Sequence, residues 1–195
     1  MLKQKYKMLI LSIDPGLVNV GAALYDSNTK EFVSVRHVQL VAKVKDLKCT
    51  DDIIPLLEKT FVKPNGYMYN LVIAADVIVI ERQLKRNFIV FQYVLGSMLH
   101  MINKKVVMCA PQSCKKYANT SSGLKGKKAH AKNKMLAIMY AQKRWPDTFA
   151  KVKSKRKRDD MADAMIMAAW YAESKRPSQK TKYDAKYKNS KVKRR

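Results

Sequence analysis

The sequence is short of residues that several classes of protein need. It has three cysteines, at positions 49, 109 and 114, without the paired spacing of a zinc site or a disulfide framework. Its three histidines, at 37, 100 and 130, are scattered. No apolar run approaches the roughly 20 residues of a membrane helix, and the apolar segment near the N-terminus is shorter than a signal-peptide core. These absences predict an intracellular protein of a reducing compartment with no membrane partner.

Glycine is also scarce, with six residues in the chain. The phrase Asp14-Pro15-Gly16 resembles the phosphate-binding turn that opens actin-like ATPases and sugar kinases. Those proteins need a second glycine-rich phosphate loop after a later strand, and no glycines here are so arranged. The sequence therefore predicts no small-molecule cofactor.

Acidic residues are few relative to basic ones. The chain has 15 Asp and Glu against 40 Lys and Arg, a formal net charge of +25. Nucleic acid is the expected partner, because no basic amphipathic helix points to a membrane surface. Residues 174–195 carry much of this charge and predict a disordered basic tail, but residues 1–173 remain strongly basic without them. We expect one folded domain over residues 1–173 with a basic surface of its own.

The hydrophobic pattern predicts strands first and then strands alternating with helices. Three segments, 7–14, 18–26 and 31–41, are expected to be antiparallel neighbours joined by short turns. Two further strands are expected at 75–81 and 105–111. Helices are expected at 51–61, 87–103, about 128–144 and 159–173, after a polar loop from 113. The fold class is α/β, with a mixed five-stranded sheet flanked by helices.

Two carboxylates stand where buried strands end. Asp14 follows the apolar run 8–11, and Glu81 ends the run 75–80. Open α/β sheets bind ligands at the carboxyl ends of their strands, so these two side chains are expected to meet. Asp160 and Asp163 are three residues apart and project from one helix face. Taken singly, each has a simpler interpretation: a turn residue, a strand end or, for Asp159 and Asp160, helix N-caps.

Four clustered carboxylates repel one another, and hard divalent cations relieve that repulsion. Mg²⁺ keeps several waters and takes few carboxylates, which leaves room for a phosphate oxygen. Two such ions can activate a water and stabilise the leaving 3′ oxygen of a phosphodiester. Acidic residues clustered in a basic chain thus predict a nuclease. A nuclease for RNA–DNA hybrid and an architectural DNA-binding protein remain alternatives, although phosphate binding alone needs no acids.

Three segments carry a family resemblance: SIDPGLVNVGAALYD, VIVIERQLKR and KRDDMADAMIMAAWYA. In this order and spacing they resemble the motif blocks of the RuvC superfamily of Holliday-junction resolvases, in particular the poxvirus-type resolvases. The resemblance spans residues 8 to about 173. It implies an RNase H-like fold, a homodimer, and paired symmetric nicks across four-way and other branched DNA. A source in a large DNA virus would imply the host cytoplasm or the virion.

The resemblance also implies site residues. The metal ligands would be Asp14, Glu81, Asp160 and Asp163, holding two Mg²⁺ ions, with Mn²⁺ as a substitute. Family members use a lysine in or before the third helix, for which Lys132 is the first choice and Lys128 and Lys134 are alternatives. DNA contacts are expected from Gln83, Lys85, Arg86, Lys115, Lys127, Lys128 and Lys134.

Overall fold

The computed structural model describes residues 8–43, 52–84, 86–124, 126–152 and 157–174. Their centre is a five-stranded sheet. Its strands are β1 Leu9–Asp14, β2 Asn19–Asp26, β3 Glu31–Gln39, β4 Val77–Glu81 and β5 Lys105–Cys109. They lie in the order β3-β2-β1-β4-β5; β1, β2 and β3 are antiparallel neighbours, and β4 and β5 run parallel to β1. The mixed five-stranded sheet is therefore confirmed.

The predicted helices are confirmed within a few residues at each end. The segment predicted at 51–61 differs in one respect: its second half, Glu58–Val62, is a π-helix and not an α-helix. The helices are α1 Ile53–Leu57, α2 Tyr69–Ala74, α3 Arg86–Met101, α4 Pro111–Ala118, α5 Gly126–Arg144, α6 Pro146–Ala150 and α7 Arg158–Glu173.

The prediction of a loop from 113 to about 127 is wrong. Residues 111–118 form α4, and α5 already begins at Gly126. The signals for α4 were present: Pro111 occupies its first turn, and Asn119 ends it in the left-handed conformation at φ 53°. The polar lysines and serines of this segment favoured a loop over a helix in the sequence-based prediction. The short helices α2 and α6 were also not predicted.

The sheet is covered on both faces. One face packs against α7, and the other against α1, α2 and α3. β1 and β4 are accordingly buried along most of their length, as the unbroken apolar run at 75–81 predicts. Helix α7 is rich in buried Ala and Met, so its backbone lies close to the sheet.

Two contacts fix α7 on the sheet. The Ser12 hydroxyl on β1 donates to the carbonyl oxygen of Ala164 at 2.6 Å. A Cβ on Gly21 of β2 would lie only 2.3 Å from the carbonyl oxygen of Asp160. The N-terminal half of α7, which carries the predicted site, therefore rests directly on β1 and β2.

Some predictions fall outside the described residues. These are the tail beyond Ser174, the residues Cys49 and Lys85, and the side chain of Arg86. Within the described ranges, no helix combines the length and apolar character that crossing a bilayer requires.

A polar cluster joins the end of α7 to the helices beside it. Glu173 accepts hydrogen bonds from Arg144 at 2.7 Å and from the Tyr117 hydroxyl at 2.7 Å. The same guanidinium lies over the rings of Tyr140 and Trp145. Although partial burial opposes the shift, these hydrogen bonds and the Arg144 charge lower the pKa of Glu173 below its ordinary value of 4.5.

This cluster predicts a pH-dependent contribution to stability. A carboxyl group whose pKa falls on folding stabilises the protein above its unfolded pKa, and the effect disappears as pH falls through the folded pKa. Glu173→Gln should therefore lower the free energy of unfolding by about 1 kcal/mol at pH 7, and the difference should shrink below pH 4.5 and vanish once the pH is below the folded pKa. Urea unfolding at several pH values measures this. Glu58→Gln, which removes a solvent-exposed pair with Lys63 at 3.7 Å, should change little at any pH.

Candidate active site

The two strand-end carboxylates meet as predicted. β1 and β4 are parallel neighbours with Ile13 beside Ile80, so the next residue on each strand is Asp14 or Glu81. Both carboxyl groups line one narrow pocket, and burial together with the charge of Glu81 raises the pKa of Asp14. Two carboxylates this close repel each other unless one is protonated or a cation lies between them.

Helix α7 brings the other two acids to the same cleft. Asp163 lines a narrow pocket with Asp14 and Glu81, and Asp160 lines the wider cleft of 340 Å³ into which this pocket opens. All four predicted metal ligands are therefore brought together, from β1, β4 and one face of α7. Within the described ranges, however, no three acidic, His or Cys side chains are already arranged around a single cation position.

Burial and mutual repulsion act on the protonation of these acids. Burial raises the pKa of Asp14, and Glu81, Asp163 and Asp160 raise it further. Burial and the charge of Glu81 raise the pKa of Asp163 to about 7. Burial also raises the pKa of Glu81, against the opposing influence of Lys115. Positive charge would therefore relieve an unfavourable concentration of carboxylates here.

The neighbours Asp159 and Asp160 have different environments. Asp159 pairs with Lys134, and its pKa is lowered by that ammonium and by backbone N–H groups of the first turn of α7, despite partial burial. Burial and the Asp159 charge raise the pKa of Asp160, whose carboxylate forms ion pairs with Lys134 and Lys157, both at 3.9 Å. Asp159 is thus the helix-terminus residue, and Asp160 faces the cleft.

The structure separates the lysines that the sequence left as alternatives. Lys134 lines the cleft and pairs with Asp159, which raises its pKa although burial acts the other way. Lys115 on α4 lines both the narrow pocket and the cleft. Lys132 and Lys128 are exposed on α5 and line neither space. Lys127 is likewise exposed.

Two glutamines hold the segment that follows β4. The Gln83 side chain donates to Glu81 Oε2 at 2.9 Å, so Gln83 orients a carboxylate rather than standing free. Its backbone N–H donates to Gln92 Oε1 at 2.5 Å. Gln92 is only 3% exposed. Sequence reasoning missed Gln92, although one signal was available, a single amide in the apolar segment 88–95.

Comparison with solved structures identifies the fold. The structure of Thermus thermophilus RuvC is similar to this chain with a TM-score of 0.51 at 12% sequence identity, over 85% of this chain and 93% of RuvC. The T. thermophilus RuvC structure in complex with Holliday junction substrate gives a TM-score of 0.51 at 11% identity, over 85% and 92% of the two chains. The domain therefore has the RNase H-like fold of RuvC, as the sequence predicts.

Sequence comparison identifies the family. Residues 8–175 match the family model described as Poxvirus A22 protein, which spans most of the chain. The chain belongs to this family of poxvirus Holliday-junction resolvases. No curated protein sequence matches it significantly.

Proposed function

We propose that this resolvase cuts four-way and other branched DNA by metal-dependent hydrolysis of phosphodiester bonds, with Asp14, Glu81, Asp160 and Asp163 as the metal ligands. The main support is that two strand-end carboxyl groups lie in one cleft with two carboxyl groups of one helix face, inside a strongly basic chain. Nothing in phosphate binding by itself calls for that arrangement.

The residues of the cleft fit a hard divalent cation. Its four acidic side chains offer oxygen ligands, burial and neighbouring negative charges raise the pKa of Asp14 and Asp163, and the cleft is wide enough for a metal that keeps several waters. Two Mg²⁺ ions, or Mn²⁺ in their place, would activate the attacking water and stabilise the leaving 3′ oxygen. Gln83 donates its side-chain N–H to Glu81 and its backbone N–H to Gln92 Oε1, and this anchoring fixes the orientation of Glu81.

The cations at the cleft have distinct parts in this proposal. Lys115 lies beside the carboxylates and lowers the pKa of Glu81 and Asp163. It is therefore the lysine best placed to meet the scissile phosphate, in preference to Lys132. Lys134 is engaged by Asp159 and keeps the start of α7 in place. The exposed Lys127 and Lys128, with Lys85 and Arg86, are proposed to hold the DNA backbone farther from the cut.

A homodimer suits the substrate, because a four-way junction offers two equivalent strands and a twofold dimer offers two equivalent sites. Helix α3 supports this proposal. Tyr93 and Met101 on this helix are 61% and 81% exposed, while Leu95 and Leu99 are buried against the sheet. The helix therefore has apolar side chains left for a second copy after packing on its own domain.

The remaining proposals concern the tail and the compartment. We propose that residues 174–195 act as a basic arm that increases affinity for any DNA. The thiols of Cys109 and Cys114 lie 3.0 Å apart and are not linked, in keeping with work in a reducing compartment such as the cytoplasm of a virus-infected cell or the virion.

The decisive experiment compares substrates. The full chain is incubated with Mg²⁺ and end-labelled four-way junction, linear duplex and RNA–DNA hybrid. We expect paired symmetric nicks on the junction and none on the duplex. Cleavage of the hybrid with an uncut junction would replace the proposal by a ribonuclease function, and tight binding without cleavage of any substrate would favour an architectural role.

Lys115 and its neighbour provide a matched test of the cation at the site. Lys115→Met should lower the rate of junction cleavage about 100-fold, the loss seen when one electrostatic contact to a transition state is removed. Lys116→Met, which alters an exposed lysine on the same helix, should leave the rate almost unchanged. Single-turnover cleavage rates measure both. Equal losses in the two variants would show that Lys115 contributes only general positive charge.

A further inference from the structure

A second cleft lies beside the candidate active site, at the free edge of the sheet. It runs between the end of β3 and the helical segment 56–60, and Tyr67 closes its far side. Its volume is 610 Å³, larger than that of the carboxylate cleft. β3 is the outermost strand, and within the described residues no further strand covers this side.

The cleft has the chemistry of a polyanion site. Its charged or titratable side chains are Lys59, His37 and Tyr67, accompanied by the amides of Gln39 and Asn65, and no carboxylate is among its described lining residues. In a chain of net charge +25, this cleft without acidic residues and the neighbouring cluster of four carboxylates are suited to different ligands. The carboxylates suit the metal, and this cleft suits phosphate.

Tyr67 is exposed at this cleft and its position is fixed by Arg36. Its ring is part of a residue that is 59% exposed. The Arg36 guanidinium lies 5.3 Å from the ring centroid and donates to the Tyr67 carbonyl oxygen at 3.0 Å, while its Nε donates to Ser34 Oγ at 3.2 Å. An exposed tyrosine fixed by an arginine is a common platform for a nucleic-acid base, and the stacking is tolerant of sequence.

The second cleft is adjacent to the active site. His37 lines it and lies 2.9 Å, Nε2 to Oδ1, from Asn19, which lines the carboxylate cleft. Burial lowers the pKa of His37, and the nearby Asp160 carboxylate opposes that shift. The β3 edge therefore lies next to the cleft that holds the four acids.

We propose that this β3-edge cleft, lined by His37, Lys59 and Tyr67, binds the DNA strand on one side of the scissile phosphate and stacks a base or sugar on Tyr67. The inference rests on the proposed junction cleavage and extends it to a specific part of the substrate. A peptide strand added to β3 would also reach this edge. The acid-free lining and the position next to the proposed cleavage site favour DNA.

The test compares matched variants on a four-way junction. Tyr67→Ala should weaken junction binding about fivefold or more, because one stacked base is lost, whereas Tyr67→Phe should bind as the unchanged protein does. Lys59→Ala should reduce the slope of log affinity against log salt by about one. Lys63→Ala, which removes an exposed lysine paired with Glu58 outside the cleft, should leave the slope unchanged.

A fluorescent base analogue gives a readout independent of cleavage. 2-Aminopurine placed at successive positions around the branch point should be quenched at one of them on binding, and Tyr67→Ala but not Tyr67→Phe should remove that quenching. Unchanged affinity and quenching in Tyr67→Ala, with a normal melting temperature, would overturn the inference. So would equal salt slopes for Lys59→Ala and Lys63→Ala, or a Tyr67→Ala variant that becomes monomeric with unaltered affinity per site.

Cleavage by the unchanged protein separates the two proposals. If the unchanged chain cuts the junction and the Tyr67 and Lys59 variants equal it in affinity and salt dependence, the β3-edge cleft has no part in binding DNA. The inference then fails while the proposed function stands. If the unchanged chain binds and quenches but cuts nothing, the proposed chemistry fails while the cleft remains a DNA site.

Discussion

Asp14→Asn is expected to abolish junction cleavage while junction binding is kept or strengthened. Asp14 lies at the centre of the acidic cluster, since the charges of Glu81, Asp160 and Asp163 all act on it. Removing a metal ligand at this position removes several kcal/mol of transition-state stabilisation, which corresponds to a rate loss of at least about 1,000-fold. Removing its charge also lowers the repulsion between the cluster and the phosphate, so affinity for DNA should not fall.

Two measurements check this prediction, the single-turnover cleavage rate in Mg²⁺ and the dissociation constant for the junction. Asp147→Asn is the matched control, because Asp147 is exposed on α6 and lies outside both clefts. It should cut at the normal rate. If Asp14→Asn lost binding and melting temperature together with cleavage, Asp14 would have to be assigned a structural role.

The strand-end acids could be predicted because their placement depends on local pattern and topology alone. An apolar run that stops at Asp14 and another that stops at Glu81 identify two strand ends. Once the two strands are parallel neighbours, the carboxyl groups meet whatever the details of packing. The same holds for Asp160 and Asp163, whose spacing places them on one face of any helix.

Which lysine lies at the site could not be predicted in this way, because it depends on the rotation of each helix about its axis. Lys132 and Lys134 are two residues apart on α5, so about 200° of helix rotation separates them, and only Lys134 reaches the cleft. Lys115 was expected to contact DNA, but its place beside the carboxylates depends on α4, a helix that the polar composition of the segment concealed.

The close packing of α7 on β2 was also beyond sequence reasoning. Gly21 stands in a segment whose pattern indicates a strand, and nothing in that pattern says which backbone approaches it. In the fold the carbonyl of Asp160 occupies the space that a side chain at Gly21 would need. A glycine in the first motif thus sets the position of an acid in the last.

The neighbours Asp159 and Asp160 provide the second large effect. Asp160→Asn should lower the cleavage rate at least about 1,000-fold, because its carboxylate lines the cleft and its ion pairs with Lys134 and Lys157 are both long, at 3.9 Å. Its melting temperature should hardly change, since replacing this carboxylate relieves repulsion from Asp159 and leaves the backbone contact with Gly21 intact.

Asp159→Asn should instead lower stability and have a smaller effect on the cleavage rate. Asp159 is bound to Lys134 and to the first turn of α7, so its loss should cost about 1 kcal/mol of stability. Lys134 would then be free to draw closer to Asp160, and the cleavage rate should fall no more than about tenfold. Thermal unfolding and single-turnover cleavage of the two variants, measured side by side, decide the assignment. An inactive Asp159→Asn beside an active Asp160→Asn would mean that the first turn of α7 presents the other carboxylate to the metal.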